Sequence, residues 1–205
     1  GASSGIGNSP ISLNITSYAD PASVTISLPA NGSFTPITIS LAANDYQSID
    51  LTPFIAAIAS PSGNNINNNG IKISATTLIT ASYEISSSGN KEIFGLKGKN
   101  ALGTEFYTPF QKHWNNTVVA PAAFSSFDIV ATEDNTTVLI SPRAAITGHP
   151  QDVTFSITLN KGQTYSARNM NISASSTLSG SIVSSDKPIA VTLFEDGLEN
   201  GACID

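Results

Sequence analysis

Short runs of β-branched residues, each cut off by Gly, Pro, Asn or Asp, constrain this chain more than any other feature. They read "SVTISLP", "TPITISLA", "IKISATTLITASYEI", "SFDIVAT", "TTVLISP", "DVTFSITL", "TLSGSIVSS" and "PIAVTLFE". Their apolar positions alternate or run continuously over a strand's length, as in strands that turn at least one face to a core. Such runs at regular spacing predict an all-β, β-sandwich-like fold. Charged residues make up only 12% of the chain, and strand and turn formers replace the helix-favouring Glu, Lys and Leu. One stretch departs from the pattern: "LTPFIAAIAS" predicts a short helix near 52–59, with Thr52 as N-cap, Pro53 in the first turn, and Phe54 and Ile58 on one face. Asn31-Gly32 predicts a tight hairpin, and "SGNNINNNG" at 62–70 a solvated surface loop.

Laid side by side, the halves share an order. "VTISLPANGSFTPITISLAANDYQSIDL" and then "IKISATTLITASYEI" stand against "TVLISPRAAITGHPQDVTFSITLNKGQTYSARNM" and then "GSIVSSDKPIAVTLFED". In each half a hairpin leads to a polar bend and then to a strand ending in an acidic residue, Glu84 or Glu195. Two related antiparallel β units packed together are therefore expected, since two copies are too few for a solenoid. The expected division is a flexible leader at 1–10, a first unit at 11–96, an aromatic-basic bridge at 97–123 and a second unit at 124–205. "GASSGIG" at the start copies a glycine-rich nucleotide turn, but "ISLNITSY" follows Pro10 where that motif needs a helix.

The net charge of −6 opposes binding to a phosphate backbone, so nucleic acid is excluded as a partner. No run of 18 apolar residues predicts membrane insertion. The lone Cys203 supplies neither an internal disulfide nor a Cys-based metal site. Five Asn-x-Ser/Thr sequons, at Asn14, Asn31, Asn115, Asn135 and Asn171, carry little weight in a chain this rich in Asn, Ser and Thr. Interaction-prone side chains gather in "LKGKNALGTEFYTPFQKHWNN". Lys97, Lys99, Tyr107, Lys112, His113 and Trp114 are the candidate ligand-binding residues, because aromatic and basic side chains cluster in recognition surfaces. The competing expectation is that Phe106, Phe110 and Trp114 fill the seam between the halves. Glu105, beside a Gly-Thr turn, is expected to accept backbone N–H bonds.

Glu195, Asp196, Glu199 and Asp205 bring four carboxylates into "FEDGLENGACID", an oxygen-rich set suited to calcium, with Glu133 and Asp134 as further donors from another loop. A solvated acidic turn is the plain alternative. Catalysis has little to build on: the two imidazoles, His113 and His149, lie in no nucleophile motif, and Glu84 and Glu195 read as equivalent strand ends rather than a glycosidase pair.

"LKGKNALGTEFYTPF", with its Gly-Thr-Glu-Phe step before an aromatic strand, resembles the central signature of the IgGFc-binding protein N-terminal domain family. "ATEDNTTVLISP", "SSDKPIAV" and "ENGACID" extend the resemblance over roughly residues 70–205. It implies an extracellular or cell-surface, non-enzymatic binding or adhesion module, one domain of a longer polypeptide, that recognises a protein or a glycan. The family's pattern continues past the Cys-x-Asp step, which implies an edge strand or a partner for Cys203 beyond Asp205. The alternatives are a structural spacer in a surface adhesin and a carbohydrate-binding or hydrolytic domain.

Overall fold

In the computed structural model of the chain, the described residues are 9–60, 63–87, 91–110 and 124–195, with the backbone of 199–200 and 203–204. The strands are β1 (Ile11–Ser17), β2 (Ala22–Ser27), β3 (Ile37–Leu41), β4 (Tyr46–Asp50), β5 (Ile66–Asn67), β6 (Lys72–Ala75), β7 (Ile79–Ser86), β8 (Lys91–Gly95), β9 (Gly103–Tyr107), β10 (Ser126–Ala131), β11 (Thr136–Ser141), β12 (Phe155–Leu159), β13 (Thr164–Arg168), β14 (Ile182–Phe194), β15 (Glu199–Asn200) and β16 (Cys203–Ile204). A 3₁₀ turn at Thr52–Phe54 runs into a four-residue helix, α1 (Ile55–Ile58). The fold is all-β, with antiparallel sheets packed together and one short helix.

The chain divides into two compact units. The first holds residues 1–60 and 68–100, and the second 61–67 and 101–205. In the first, a sheet ordered β4-β1-β7-β8 and a sheet ordered β3-β2-β6 cover a shared core. Ile11, Leu13 and Ile15 of β1 meet Val24 and Ile26 of β2, with Leu41, Leu51 and Ile58 closing the ends. Every second residue of β1 is buried, as period-two alternation requires. In the second unit the order is β12-β11-β14-β10-β13-β5, with β9 also on β14. Its core gathers Phe127 and Ile129 from β10, Val138 and Ile140 from β11, Leu159, Tyr165, and Val183 and Ile189 from β14. The two halves of β14 pair with different partners, β11 through Ser185 and β10 from Ile189 onward. One long strand thus serves both faces, bending where its register with β9 shifts between Ser184 and Ile189.

The strand pairings show the relation between the units directly. Leu13 lies opposite Ile49 and Tyr83, and Phe127 opposite Ala167 and Leu193. Val24 lies opposite Ile39 and Ala75, and Val138 opposite Ile157 and Ser185. β1 through β4 therefore correspond to β10 through β13, and β6 and β7 together correspond to β14. In this register Glu84 aligns with Phe194 and Ile85 with Glu195, so the two glutamates occupy neighbouring positions of the plan on opposite strand faces.

Local chemistry departs from expectation at three places. Thr52 is not the helix cap: its N–H donates to Asp50 Oδ1 at 2.8 Å, while its Oγ1 accepts from Ile11 N–H at 3.0 Å. The hydrogen bonds from Thr52 hold the Asp50 carboxyl below its ordinary pKa. Asn31-Gly32 does not form a two-residue hairpin, because neither residue takes the positive φ such a turn needs. Two successive turns, Leu28 to Asn31 and Asn31 to Phe34, join β2 to β3 instead. The 62–70 stretch is partly structured: Ile66 and Asn67 pair with Tyr165 and Thr164 as β5, a strap on the second unit.

Candidate functional site

From Lys91 to Ala101 every residue is exposed. Among the described strands with assigned burial, β8 is the one with no buried or half-buried member. It hydrogen-bonds to β7 in continuous antiparallel register, Tyr83 opposite Phe94 and Glu84 opposite Ile93. Alternation turns Phe94 toward Tyr83, with ring centroids 6.4 Å apart, and Ile93 toward the opposite face. Large apolar side chains stand open to solvent here, Ile93 at 67%, Phe94 at 40% and Leu96 at 44% of full exposure. Lys91, Lys97 and Lys99 flank them, all exposed. A 3₁₀ turn at Gly98–Ala101 follows. Gly98 enters it with φ of +59°, a conformation that glycine adopts without steric cost.

Lys97 and Lys99 belong to the first compact unit and Tyr107 to the second. Tyr107 is the exposed end of β9, 63% open, and its hydroxyl donates to Glu105 Oε1 at 2.8 Å. That hydrogen bond, together with the carboxylate's charge, raises the Tyr107 pKa. Glu105, expected to accept from backbone in a Gly-Thr turn, instead stands exposed on a strand and holds this phenol. Phe106 and Phe110 pack against the second unit's own core, and Gly103 leaves room for the Phe106 ring, which a Cβ there would approach to 3.1 Å. Lys112, His113 and Trp114 lie outside the described residues.

Of the proposed calcium ligands, Asp196 and Asp205 and the side chain of Glu199 also lie outside the described residues. Glu195 lines a cleft of about 240 Å³ with Pro109, Phe110, Leu193 and Phe194. Among the described residues, no three of His, Cys, Asp and Glu are grouped to hold a metal ion. Asp134, the further candidate donor, serves the turn instead: its Oδ1 accepts from Lys161 N–H at 3.0 Å.

His149 has a structural setting. Its ring stacks on Phe155 with centroids 3.4 Å apart and planes within 6°. Its Nε2 lies 3.0 Å from Asn64 Oδ1, which also accepts from the Tyr165 hydroxyl at 3.1 Å. Since that oxygen is an acceptor, Nε2 carries the proton. Burial lowers the His149 pKa. The contacts tie the strap before β5 to the turn at Ile146–His149, where Gly148 has φ of +82°. Glu84 is engaged across the outer face of β1 and β7. It accepts from Asn14 Nδ2 at 2.7 Å and from Ser86 Oγ at 2.6 Å, which lowers its pKa, the Ser86 bond most.

Sequence reasoning missed a polar hollow of about 420 Å³ bordered by Arg143, Gln151, Met170, Asn171 and Ser175. Its residues come from separate loops, and no local spacing announces it. It also missed that the apolar residues of the stretch preceding Lys97 are the exposed ones. No helix among the described residues is long and apolar enough to cross a membrane.

Residues 95–196 match the model of a protein family described as IgGFc binding protein. No curated protein and no solved structure matches the chain significantly. The matched segment takes in Lys97, Lys99, Tyr107 and all of β9 to β14, and starts later than the resemblance near residue 70 implied. Over residues 95–196, just under half of its length, the chain is similar to the family described as IgGFc binding protein.

Proposed function

We propose that the chain is an extracellular, non-enzymatic binding module of a cell-surface or secreted protein, and that it recognises a protein partner. The observation that carries this reading is the unbroken exposure of 91–101. There Ile93, Phe94 and Leu96 sit among Lys91, Lys97 and Lys99 at the entrance to the family segment. A folded chain gains by burying such side chains, and contiguous apolar exposure beside charge is the mark of an interaction surface. The family's description names IgG Fc as a ligand of the protein it is called after, and Fc is one partner to test here.

Tyr107 favours a second reading. An exposed phenol beside the Glu105 carboxylate offers a stacking face and an acceptor, the elements of a sugar subsite. The test is to immobilise the full chain and pass over it a panel of extracellular proteins, Fc included, and a glycan array, with and without chelator. The protein-binding reading expects at least one protein to bind, and that binding to fall at least tenfold (about 1.4 kcal/mol) in Ile93→Asp and in Lys97→Glu. Glycan binding lost in Tyr107→Ala selects the second reading. Silence on every protein sinks the first, and loss of binding on chelation assigns calcium a part in it.

A further inference from the structure

We propose that β8 takes up an extended, acidic segment of a partner protein as an added antiparallel strand. The inference rests on the protein-binding reading above and names the class of partner. β8 pairs with β7 on one edge, and no described strand occupies the other. Leu96 N–H donates to Ala81 O at 2.9 Å, which fixes the phase of the ladder. Bonding groups alternate along an antiparallel strand, so those of Glu92, Phe94 and Leu96 point to β7. The N–H and C=O groups of Lys91, Ile93 and Gly95 then point away from it. A Cβ built on Gly95 meets nothing within 4 Å, so the sheet face is open at this outward-bonding residue. Charge, bulges, proline or a covering loop usually blunt such an edge. Among the described residues the β7–β8 register is continuous, and β8 contains no proline and is exposed along its whole length, which leaves charge as the device.

That charge selects the occupant. The chain as a whole carries −6, yet here Lys91, Lys97 and Lys99 outnumber the one carboxylate of β8, Glu92, and bracket the exposed Ile93, Phe94 and Leu96. A second copy docking through its own β8 brings a second set of the same lysines to this edge, while an acidic segment brings opposite charge. An extended segment with Asp or Glu near its ends and apolar side chains between them meets both features. Backbone hydrogen bonds supply the pairing and the lysines supply the selectivity.

The probes are fluorescein-labelled peptides, Glu-Val-Thr-Val-Thr-Val-Glu, which sets its end residues opposite Lys97 and Lys91, and the same peptide with Lys for each Glu, read by fluorescence anisotropy on the full chain. The acidic peptide is expected to bind saturably, more weakly as salt is added, and the lysine peptide to be excluded. Gly95→Pro removes an outward N–H in open space and is expected to weaken binding by about tenfold or more. Ile93→Pro repeats that test at a second outward position, and Lys97→Glu with Lys99→Glu is expected to invert the peptide preference. Thermal melts identify any variant that has lost its fold, and the charge variant then decides. Equal binding of the two peptides, binding of neither, unchanged binding by the folded proline variants, or dimerisation through β8 overturns the proposal. A protein partner that binds wild type and Gly95→Pro alike ends the strand-addition idea and leaves the protein-binding reading standing.

Discussion

The two units follow one pairing plan and differ in what lies beside its last segment. In the first, β6 and β7 are separate strands in separate sheets, joined through Thr76, Thr77 and an exposed Leu78. In the second, the corresponding residues form the single thirteen-residue β14. The contacts on the shared side match: Ile79 pairs with Ser17, and Ile189 with Ala131. The free side differs. β9 runs along β14 across the bend, pairing with Ile182, Val183, Ser184 and Ile189, and no described strand does this for β6. A neighbour's hydrogen bonds thus decide whether the same bend is a break or a bulge. The same contrast leaves the first unit with an edge at β8 that is open to solvent on both faces.

The strongest test of the shared plan removes equivalent core side chains. Phe127→Ala and Leu13→Ala each delete a fully buried group at corresponding positions, and each is expected to cost about 3–5 kcal/mol in denaturant unfolding. Hydrogen exchange should rise first in β10 and β13 for the former and in β1 and β4 for the latter. If either substitution proves neutral, the pairing correspondence misplaces that side chain.

Proline sharpens the difference at the bend. Ser184→Pro, on β14 between β11 and β9, removes a ladder hydrogen bond, and a loss of about 3 kcal/mol or more is expected. Thr77→Pro falls in the turn of the first unit, where the change should stay within about 1 kcal/mol. Comparable losses by chemical denaturation would mean that the turn is as constrained as the strand.

The smallest contrast lies in two tyrosines, one per unit. Burial pushes both Tyr83 and Tyr165 up to about 12, from an ordinary value of 10. The folded chain therefore holds these protons more tightly than the unfolded one. The stability they contribute is complete below pH 10 and is lost as the pH rises toward and through 12. Circular dichroism followed against pH, alongside phenolate absorbance, should show unfolding in that window, and ionisation of every tyrosine near pH 10 without unfolding would refute it. Tyr165 also donates to Asn64, so Tyr165→Phe is expected to lose roughly 0.5–1.5 kcal/mol, and Tyr83→Phe less.

The strands and their two-fold plan were legible because alternation is local: "ISLNITS" and "SFDIVA" announce which face each side chain takes. The helix near 52–59 was legible as well, but not its cap. Thr52 turns its hydroxyl to Ile11 N–H instead, a contact that no local pattern announces. Asn31-Gly32 misled because the dipeptide's left-handed preference is weak against the spacing that β2 and β3 demand. β5 could not be read at all, since two residues of an Asn-rich stretch pair with partners a hundred positions away. In the candidate site, the basic and aromatic composition was visible at Lys97, Lys99 and Tyr107. The exposure of Ile93, Phe94 and Leu96 was not, because an apolar run looks the same at an edge as in a core.

The strap before β5 reaches the second unit from a stretch bounded on both sides by the first. Asn64 and Tyr165 are 101 residues apart, so during synthesis the ribosome releases Asn64 long before its acceptor oxygen has a phenol to serve. The first unit's strands through β7 can assemble in that interval, while the outermost strand of the second waits. A gene fragment cut at residue 101 keeps most of the family segment but yields a protein with β13 uncovered. Adding a peptide of residues 61–70 in trans is the natural way to ask whether that missing strand is what the fragment lacks.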